Sequence, residues 1–108
     1  MSDLKLIDRK SLYRRAIKQW GRQSQIEMIK EECIELALAL QKLNRVGGRA
    51  LSVERYHAVI DEIADVEIMI EQAHHLFDSD KIQEVKEYKI KRLQARLEVC
   101  KESDKEEG

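Results

Sequence analysis

The chain contains no proline and only four glycines, and its apolar residues recur at every third or fourth position. Proline and glycine are the residues that most disfavour a helix interior. An apolar repeat of three to four residues is the signature of an amphipathic helix. Aromatic residues, which are typical of strands, make up only 5% of the chain. The sequence therefore predicts an all-α fold.

Four helical segments are predicted, at about residues 8–20, 24–46, 52–77 and 81–101, with a frayed tail at 102–108. The boundaries rest on cap and stop signals, namely Asp8 and Gly21 around the first segment, Gly47 and Gly48 after the second, and a weak capping box of Asp80 and Gln83 before the fourth. The second and third segments are joined by about six residues and predict an antiparallel helix hairpin. We expect the first and fourth helices to pack on it, in one bundle-like domain covering 1–108.

Composition narrows the class of protein. With 108 residues the chain has room for one domain and a modest core. Charged residues make up 38% but the net charge is −1, so the chain lacks the basic field of a protein that binds nucleic acid or acidic membranes. No window approaches the roughly 18 consecutive apolar residues of a membrane span, and the N-terminus lacks a signal core. We expect a soluble, cytoplasmic protein.

Five residues with reactive or recognition-competent side chains have ordinary structural explanations. Cys33 and Cys100 lie on apolar stripes without metal-type spacing, so we predict reduced core residues. Trp20 ends the first helix and is predicted to pack against the hairpin. Lys42 and Arg45 lie near the hairpin turn, where they could meet a substrate, but a solvated helix end is the favoured explanation.

The segment MIKEECIELALAL, residues 28–40, places three glutamates inside an apolar run. Carboxylates are costly to bury unless something pairs with them. On a helix, Glu32 lies at the edge of the apolar stripe, Glu35 about 60° further round, and Glu31 nearly opposite. The stripe consists of Ile29, Cys33, Leu36, Leu40 and Leu43.

The second helix is also apolar on its other side, through Ile34, Ala37 and Leu38. A helix that is apolar on two sides is buried on two sides. In so short a chain, we expect the second side to be covered by another subunit, in a homodimer or homotetramer.

The third helix repeats this arrangement, with Glu62 and Asp65 at one edge of its apolar stripe. That stripe consists of Tyr56, Val59, Ile63, Val66, Ile70 and Phe77. In an antiparallel hairpin the acidic pairs of the two helices, Glu32 with Glu35 and Glu62 with Asp65, can converge. Converging carboxylates repel one another, and a divalent cation resolves the repulsion. Because no Cys or His accompanies them, the ligand set suits Mg²⁺, with Mn²⁺ as a substitute.

The fourth helix carries a basic edge of Lys89, Arg92 and Arg96 beside its apolar stripe. A basic edge that faces a metal-loaded acidic edge suits a polyphosphate, since arginine binds phosphate oxygens in a bidentate manner. The alternative is pairing with acidic neighbours such as Glu84 and Glu98 on a solvated helix face.

Together these residues resemble the MazG-like all-α nucleoside triphosphate pyrophosphohydrolases. The family pattern Glu-Glu-x-x-Glu followed by Glu-x-x-Asp reads here as EECIE at 31–35 and EIAD at 62–65. The surrounding WGRQSQIEMIKEECIELALAL and DEIADVEIMIEQ are similar to the family's helix hairpin, and KIKRL to its last helix. The resemblance covers roughly residues 13–97. In some relatives an asparagine stands two positions before the basic residue matching Arg92, where this chain has Ile90.

The resemblance implies hydrolysis of a nucleoside triphosphate between its α and β phosphates, giving a monophosphate and pyrophosphate. It implies that Glu32, Glu35, Glu62 and Asp65 hold Mg²⁺. Glu31 would be an outer ligand or would help to orient the attacking water, a catalytic role that Glu35 could also take. It further implies that Lys89, Arg92 and Arg96 bind phosphates.

Two other functions stay open. A phosphoribosyl-ATP pyrophosphohydrolase would share the metal chemistry and differ in substrate. A non-catalytic helical interaction module would use the acidic pairs to bind lysines or arginines of a partner, because most acidic helix faces are solvated surface.

Overall fold

The computed structural model describes the backbone of residues 8–44 and 53–107, and the side chains of 8–43 and 53–101. This part of the chain forms four helices and no strand, which confirms the all-α, four-helix prediction. The helices are α1 Arg9–Trp20, α2 Arg22–Asn44, α3 Val53–Ala73 and α4 Ser79–Glu107. Among these residues, no helix combines the length and the apolar character that a membrane span requires.

The chain divides into two compact units, Met1–Leu76 with α1, α2 and α3, and Phe77–Gly108 with α4. In the first unit α3 and α1 both pack against α2. The second unit is a single helix, so its apolar side chains have no second element within the unit to pack on. The prediction of one domain over residues 1–108 stays a prediction.

The corner between α1 and α2 follows from its sequence signals, and both predicted signals are confirmed. The Asp8 side chain caps α1 by accepting from the Ser11 amide at 3.3 Å. Gly21 has φ of +91° and donates its N–H to the Ile17 carbonyl at 2.8 Å. That φ is readily accessible only to glycine. A single residue therefore ends α1 and allows α2 to begin at once.

Contacts at both ends fix α2 and α3 as an antiparallel hairpin, as predicted. Near the turn, Arg55 of α3 donates to the Lys42 carbonyl of α2 at 3.1 Å. At the open end, Gln72 of α3 donates to the side chain of Gln25 of α2. The predicted stop at Gly47 and Gly48 lies outside the described residues.

The two helices meet along a narrow seam whose positions alternate between spacings of three and four residues, the pattern of coiled-coil packing. The seam positions of α2 are Gln25, Ile29, Glu32, Leu36, Ala39 and Leu43. Those of α3 are Val59, Glu62, Val66, Met69 and Ala73, and Leu76 continues the spacing in the turn after α3; all are buried or half-buried. Glu32 and Glu62 thus occupy seam positions rather than the edges of the seam.

The predicted apolar stripes were therefore wrong in their rotation about each helix axis. Members on the far side of each predicted stripe are exposed, namely Cys33 and Leu40 on α2 and Tyr56, Ile63 and Ile70 on α3, as is Phe77 beyond it. The seam instead includes two alanines, Ala39 and Ala73, and small side chains at a helix contact allow close approach.

The junction between α3 and α4 also differs from its prediction. α3 ends at Ala73, about a turn early, and residues 74–76 continue with tighter bonds to carbonyls three residues back. Asp78, rather than Asp80, caps α4 by accepting from the Lys81 amide at 3.0 Å. α4 continues to Glu107, through residues 102–107 where we predicted a frayed tail.

Both cysteines are free, as predicted, but their side chains are exposed rather than in the core. Trp20 is 63% exposed and lines an open groove between α1 and α3 instead of packing fully. These side chains stay exposed because a unit of three helices has a small interior and buries few side chains. The buried apolar residues in the described part of the chain are Tyr13, Val59, Met69 and Leu76.

The buried hydrogen bond between Gln25 and Gln72, which are 5% and 4% exposed, generates a stability prediction. We expect Gln25→Leu to lower the free energy of unfolding by about 1–3 kcal/mol, because the Gln72 amide is left buried without its partner. Urea unfolding followed by circular dichroism measures this change.

The double variant Gln25→Leu with Gln72→Leu should recover most of the loss, because no buried amide is then left unpaired. Gln41→Ala, at an exposed position of α2, is the control. A double variant no more stable than the single variant would show that the amide pair is not the cause.

Candidate metal centre

Three carboxylates meet in the seam between α2 and α3. Glu32 and Glu62 come from seam positions on the two helices, and Glu35 lies one turn after Glu32 on the exposed flank. One carboxylate oxygen of each lies within 4.8 Å of the others. The antiparallel hairpin therefore brings together three of the four residues predicted to hold a metal.

The fourth predicted ligand, Asp65, is half-buried one turn after Glu62. Its charge raises the pKa of both Glu32 and Glu62, so it acts on the same cluster although it is not one of the three carboxylates within 4.8 Å. Glu31 is exposed and stays outside the cluster.

The cluster is electrostatically unfavourable as it stands. The pKa of Glu32 is raised first by burial and then by the charges of Glu35, Asp65 and Glu31. The pKa of Glu62 is raised in the same order, by burial, then Glu35, Asp65 and Glu32. Each group faces like charges rather than a cation.

Two oxygen atoms in the cluster lack any hydrogen-bond partner. Oε2 of Glu32 and Oε2 of Glu62 are both buried from solvent and unpaired. Most buried polar atoms in proteins are hydrogen-bonded, so an exception asks for an explanation. An ion bound between the two helices would satisfy both oxygens at once.

The donor set fits Mg²⁺ or Mn²⁺. All donors are carboxylate oxygens, which these hard cations prefer, and no cysteine or histidine belongs to the cluster. Glu32, Glu35 and Glu62 would supply the inner oxygens, with Asp65 at the edge.

The predicted phosphate-binding residues lie on the other unit. Lys89, Arg92 and Arg96 are exposed on α4, where Lys89 borders a shallow groove with Ile90 and Leu93. Because α4 forms a unit by itself, their role towards the carboxylates stays a prediction.

The structure also places two basic residues beside the carboxylates within the first unit. A cavity of about 210 Å³ is lined by Glu35 and Glu62 together with Lys42 and Arg55. For Lys42 the sequence favoured a solvated helix end over contact with a substrate, and Arg55 was not among the predicted site residues. The spacing of Arg55 from Glu62 could have revealed its place. Seven residues are about two helical turns, so the two side chains lie on the same side of α3.

Comparisons with known proteins add no relative, since no protein-family model, curated protein or solved structure matches the chain.

The raised pKa values generate a prediction about pH. A carboxyl whose pKa is raised in the folded state destabilises that state when ionised, so its penalty is present at neutral pH. The penalty disappears as the pH falls through the raised folded pKa towards the ordinary value of 4.5. Without divalent cations, we expect the variant Glu32→Gln with Glu62→Gln to melt several degrees above the natural protein at pH 7, and this difference to shrink as the pH is lowered to about 4.5.

Thermal melts across this pH range, with EDTA present, measure the difference. Glu27→Gln, in an exposed pair with Lys30 on α2, is the control and should show no such gain. A double variant less stable than the natural protein at pH 7 would contradict the interpretation.

Proposed function

We propose that this protein is a Mg²⁺-dependent nucleoside triphosphate pyrophosphohydrolase. The observation that carries the proposal is the carboxylate cluster in the helix seam, with oxygens of Glu32, Glu35 and Glu62 within 4.8 Å of one another and two buried oxygens unpaired. A helix seam that needs apolar packing holds ionised groups at a cost, and a metal-dependent function explains why the cost is kept. The MazG-like motif supports the same function.

In the proposed reaction, water attacks phosphorus at the α phosphate, the bond to the bridging oxygen breaks, and pyrophosphate leaves with the electron pair. The nucleoside monophosphate and pyrophosphate together contain the atoms of the triphosphate and one water. Bound Mg²⁺ would neutralise phosphate charge and lower the pKa of a coordinated water. Glu35 or Glu31 would orient the attacking water.

The position of each residue in the motif suggests its role. Glu32, Glu35, Glu62 and Asp65 would hold the metal, as the cluster and the motif both suggest. Lys89, Arg92 and Arg96 on α4 would bind phosphates, a role that rests on the resemblance alone. We place the activity in the cytoplasm, where free thiols such as Cys33 and Cys100 persist.

The activity can be tested by measuring pyrophosphate release from a panel of ribo- and deoxyribonucleoside triphosphates with Mg²⁺. We expect Glu35→Gln and Asp65→Asn each to lower kcat/KM by about a hundredfold or more, since metal-assisted charge stabilisation is worth several kcal/mol. Glu27→Gln, on the same helix and outside the cluster, should keep full activity.

Other results would identify the alternatives. Turnover of phosphoribosyl-ATP but of no common triphosphate would assign the related enzyme of that substrate. No turnover on any substrate, with Mg²⁺ leaving the melting temperature unchanged, would contradict the enzyme and favour an interaction module.

We further propose that the protein works as a homo-oligomer, at least a homodimer. One flank of α3 carries an exposed apolar strip at spacings of three, four and seven residues, namely Tyr56 (50% exposed), Ile60 (47%), Ile63 (38%) and Ile70 (46%). On α2, exposed Cys33, Ala37 and Leu40 follow the same spacing. We call these seven residues the apolar face.

Helical geometry places the two halves of the apolar face together. Each half lies on its helix displaced from the seam in the same rotational sense. In an antiparallel pair of right-handed helices, that displacement leads to the same side of the hairpin. Clusters of exposed apolar side chains mark protein interfaces, and a second copy can cover this face symmetrically with its own.

Sedimentation velocity over a range of protein concentrations tests the oligomer. We expect Ile60→Lys to yield monomers at concentrations where the natural protein is dimeric, because twofold symmetry places the charge in the interface twice. Ile34→Lys, on the other exposed side of α2, should leave the dimer intact. If Ile34→Lys dissociates the dimer and Ile60→Lys does not, the interface would instead contain Ile34, Ala37 and Leu38.

A further inference from the structure

The cavity between Lys42 and Arg55 continues directly from the carboxylate cluster. Glu35 and Glu62 belong to both, so the cavity begins where the cluster ends. Its remaining walls are small or apolar, from Leu38, Ala39 and Ala58. All of these residues lie in the first unit, so the cavity needs neither α4 nor a second chain to exist.

The cavity is negative at one end and positive at the other. Glu35 and Glu62 stand at the cluster, and Lys42 and Arg55 lie seven positions away from them along α2 and α3 respectively. Seven residues are two helical turns, about 10 Å. A ligand that spans this distance must interact with a cation bound at the cluster and with cationic side chains at the far end. Phosphate groups satisfy both requirements.

Arg55 holds the positive end in place. Its Nη1 donates to the Lys42 carbonyl at 3.1 Å, in the last turn of α2, where backbone carbonyls lack helix partners. This bond ties the start of α3 to the end of α2 and fixes the backbone from which the Lys42 side chain extends.

The Lys42 ammonium forms no ion pair within the described part of the chain. Other basic residues there do, for example Arg9 with Glu71, Lys30 with Glu27 and Lys81 with Glu84. Lys42 therefore lines the cavity without being neutralised by either of the glutamates that share it. An ammonium group with three donors is well suited to contact phosphate oxygens.

The size of the cavity limits what it can hold. Its volume of about 210 Å³ is below the roughly 300–1,000 Å³ of pockets that enclose whole small-molecule ligands. It has room for a phosphate or pyrophosphate group, and the rest of a nucleotide would extend beyond it.

We infer that this cavity binds a phosphate group of the metal-bound substrate, with Lys42 as the contact residue and Arg55 as a positioning residue. The inference rests on the proposed function, because the metal at the carboxylates provides the other half of the site. It assigns phosphate binding to the end of α2, a location separate from the basic edge of α4.

Calorimetric titration with the product anion tests the inference. Mg²⁺ is first titrated into the natural protein and into Lys42→Gln, Lys42→Arg and Lys30→Gln. Inorganic pyrophosphate, premixed with Mg²⁺, is then titrated into each Mg²⁺-saturated protein. Circular dichroism verifies that each variant keeps its helix content.

We expect Lys42→Gln to bind Mg²⁺ at least as tightly as the natural protein and to bind pyrophosphate roughly tenfold more weakly, since a charge-assisted hydrogen bond is lost. Lys42→Arg keeps the charge and should recover part of the affinity. Lys30→Gln removes a lysine about 120° away from Lys42 around the axis of α2 and should match the natural protein.

The outcomes separate the inference from the proposed function. Mg²⁺ and pyrophosphate binding that is unchanged in Lys42→Gln would overturn the phosphate site and leave the metal centre standing. A natural protein that binds no Mg²⁺ would overturn both. Weaker Mg²⁺ binding in Lys42→Gln would also contradict the inference, because Lys42 would then support the carboxylates rather than the anion.

Discussion

The structure of the first unit depends on one packing interaction, the seam between α2 and α3. Its positions follow the alternating spacing of a coiled coil, yet at the centre of each helix a seam position is occupied by glutamate. Ionised groups contribute little apolar stabilisation and repel one another there. The flanking seam residues must therefore hold the hairpin together, through Ile29, Leu36 and Leu43 on α2 and Val59, Val66 and Met69 on α3.

The same unit shows how a carboxylate is ordinarily satisfied. Glu71, also on α3, accepts from the Tyr13 hydroxyl at 3.0 Å and from Arg9 at 2.8 Å. These two bonds, that of Tyr13 first, lower the pKa of Glu71. Glu62, nine positions earlier on the same helix, has a buried oxygen without a donor and a raised pKa.

The difference between Glu71 and Glu62 bears on function. It shows that the chain can supply hydrogen-bond donors to an acidic side chain when stability requires them. At the seam it supplies further carboxylates instead. The nearby cations, Lys42 and Arg55, line the adjoining cavity. Negative charge concentrated at one place, with positive charge at a distance, is the arrangement expected of a site for a metal and an anion together.

The second constraint on the fold is the set of apolar side chains that stay exposed. In the first unit the apolar face lies outside the seam, and in the second unit α4 exposes Tyr88, Ile90, Leu93 and Leu97. The proposed association would add stability by covering these surfaces, because their burial removes apolar area from water. A partner subunit would therefore contribute to folding as well as to function.

The sequence by itself determined the helices and the chemistry available to them. The lack of proline, the apolar period, Asp8 and Gly21 were enough to predict four helices, and the spacing of the acidic pairs was enough to predict that Glu32, Glu35 and Glu62 converge. These features depend on local backbone geometry, which is set by the residues of each segment.

Only the tertiary structure decided how the helices are rotated against each other. The apolar period of a segment gives the position of each residue around its own helix. The line along which two helices touch depends on which of their side chains fit together. The observed line includes the small Ala39 and Ala73 and passes through Glu32 and Glu62, whereas Cys33 and Tyr56 lie on the surface. The cavity containing Lys42 and Arg55 likewise exists only once α3 folds back along α2, because its walls come from residues distant in the chain.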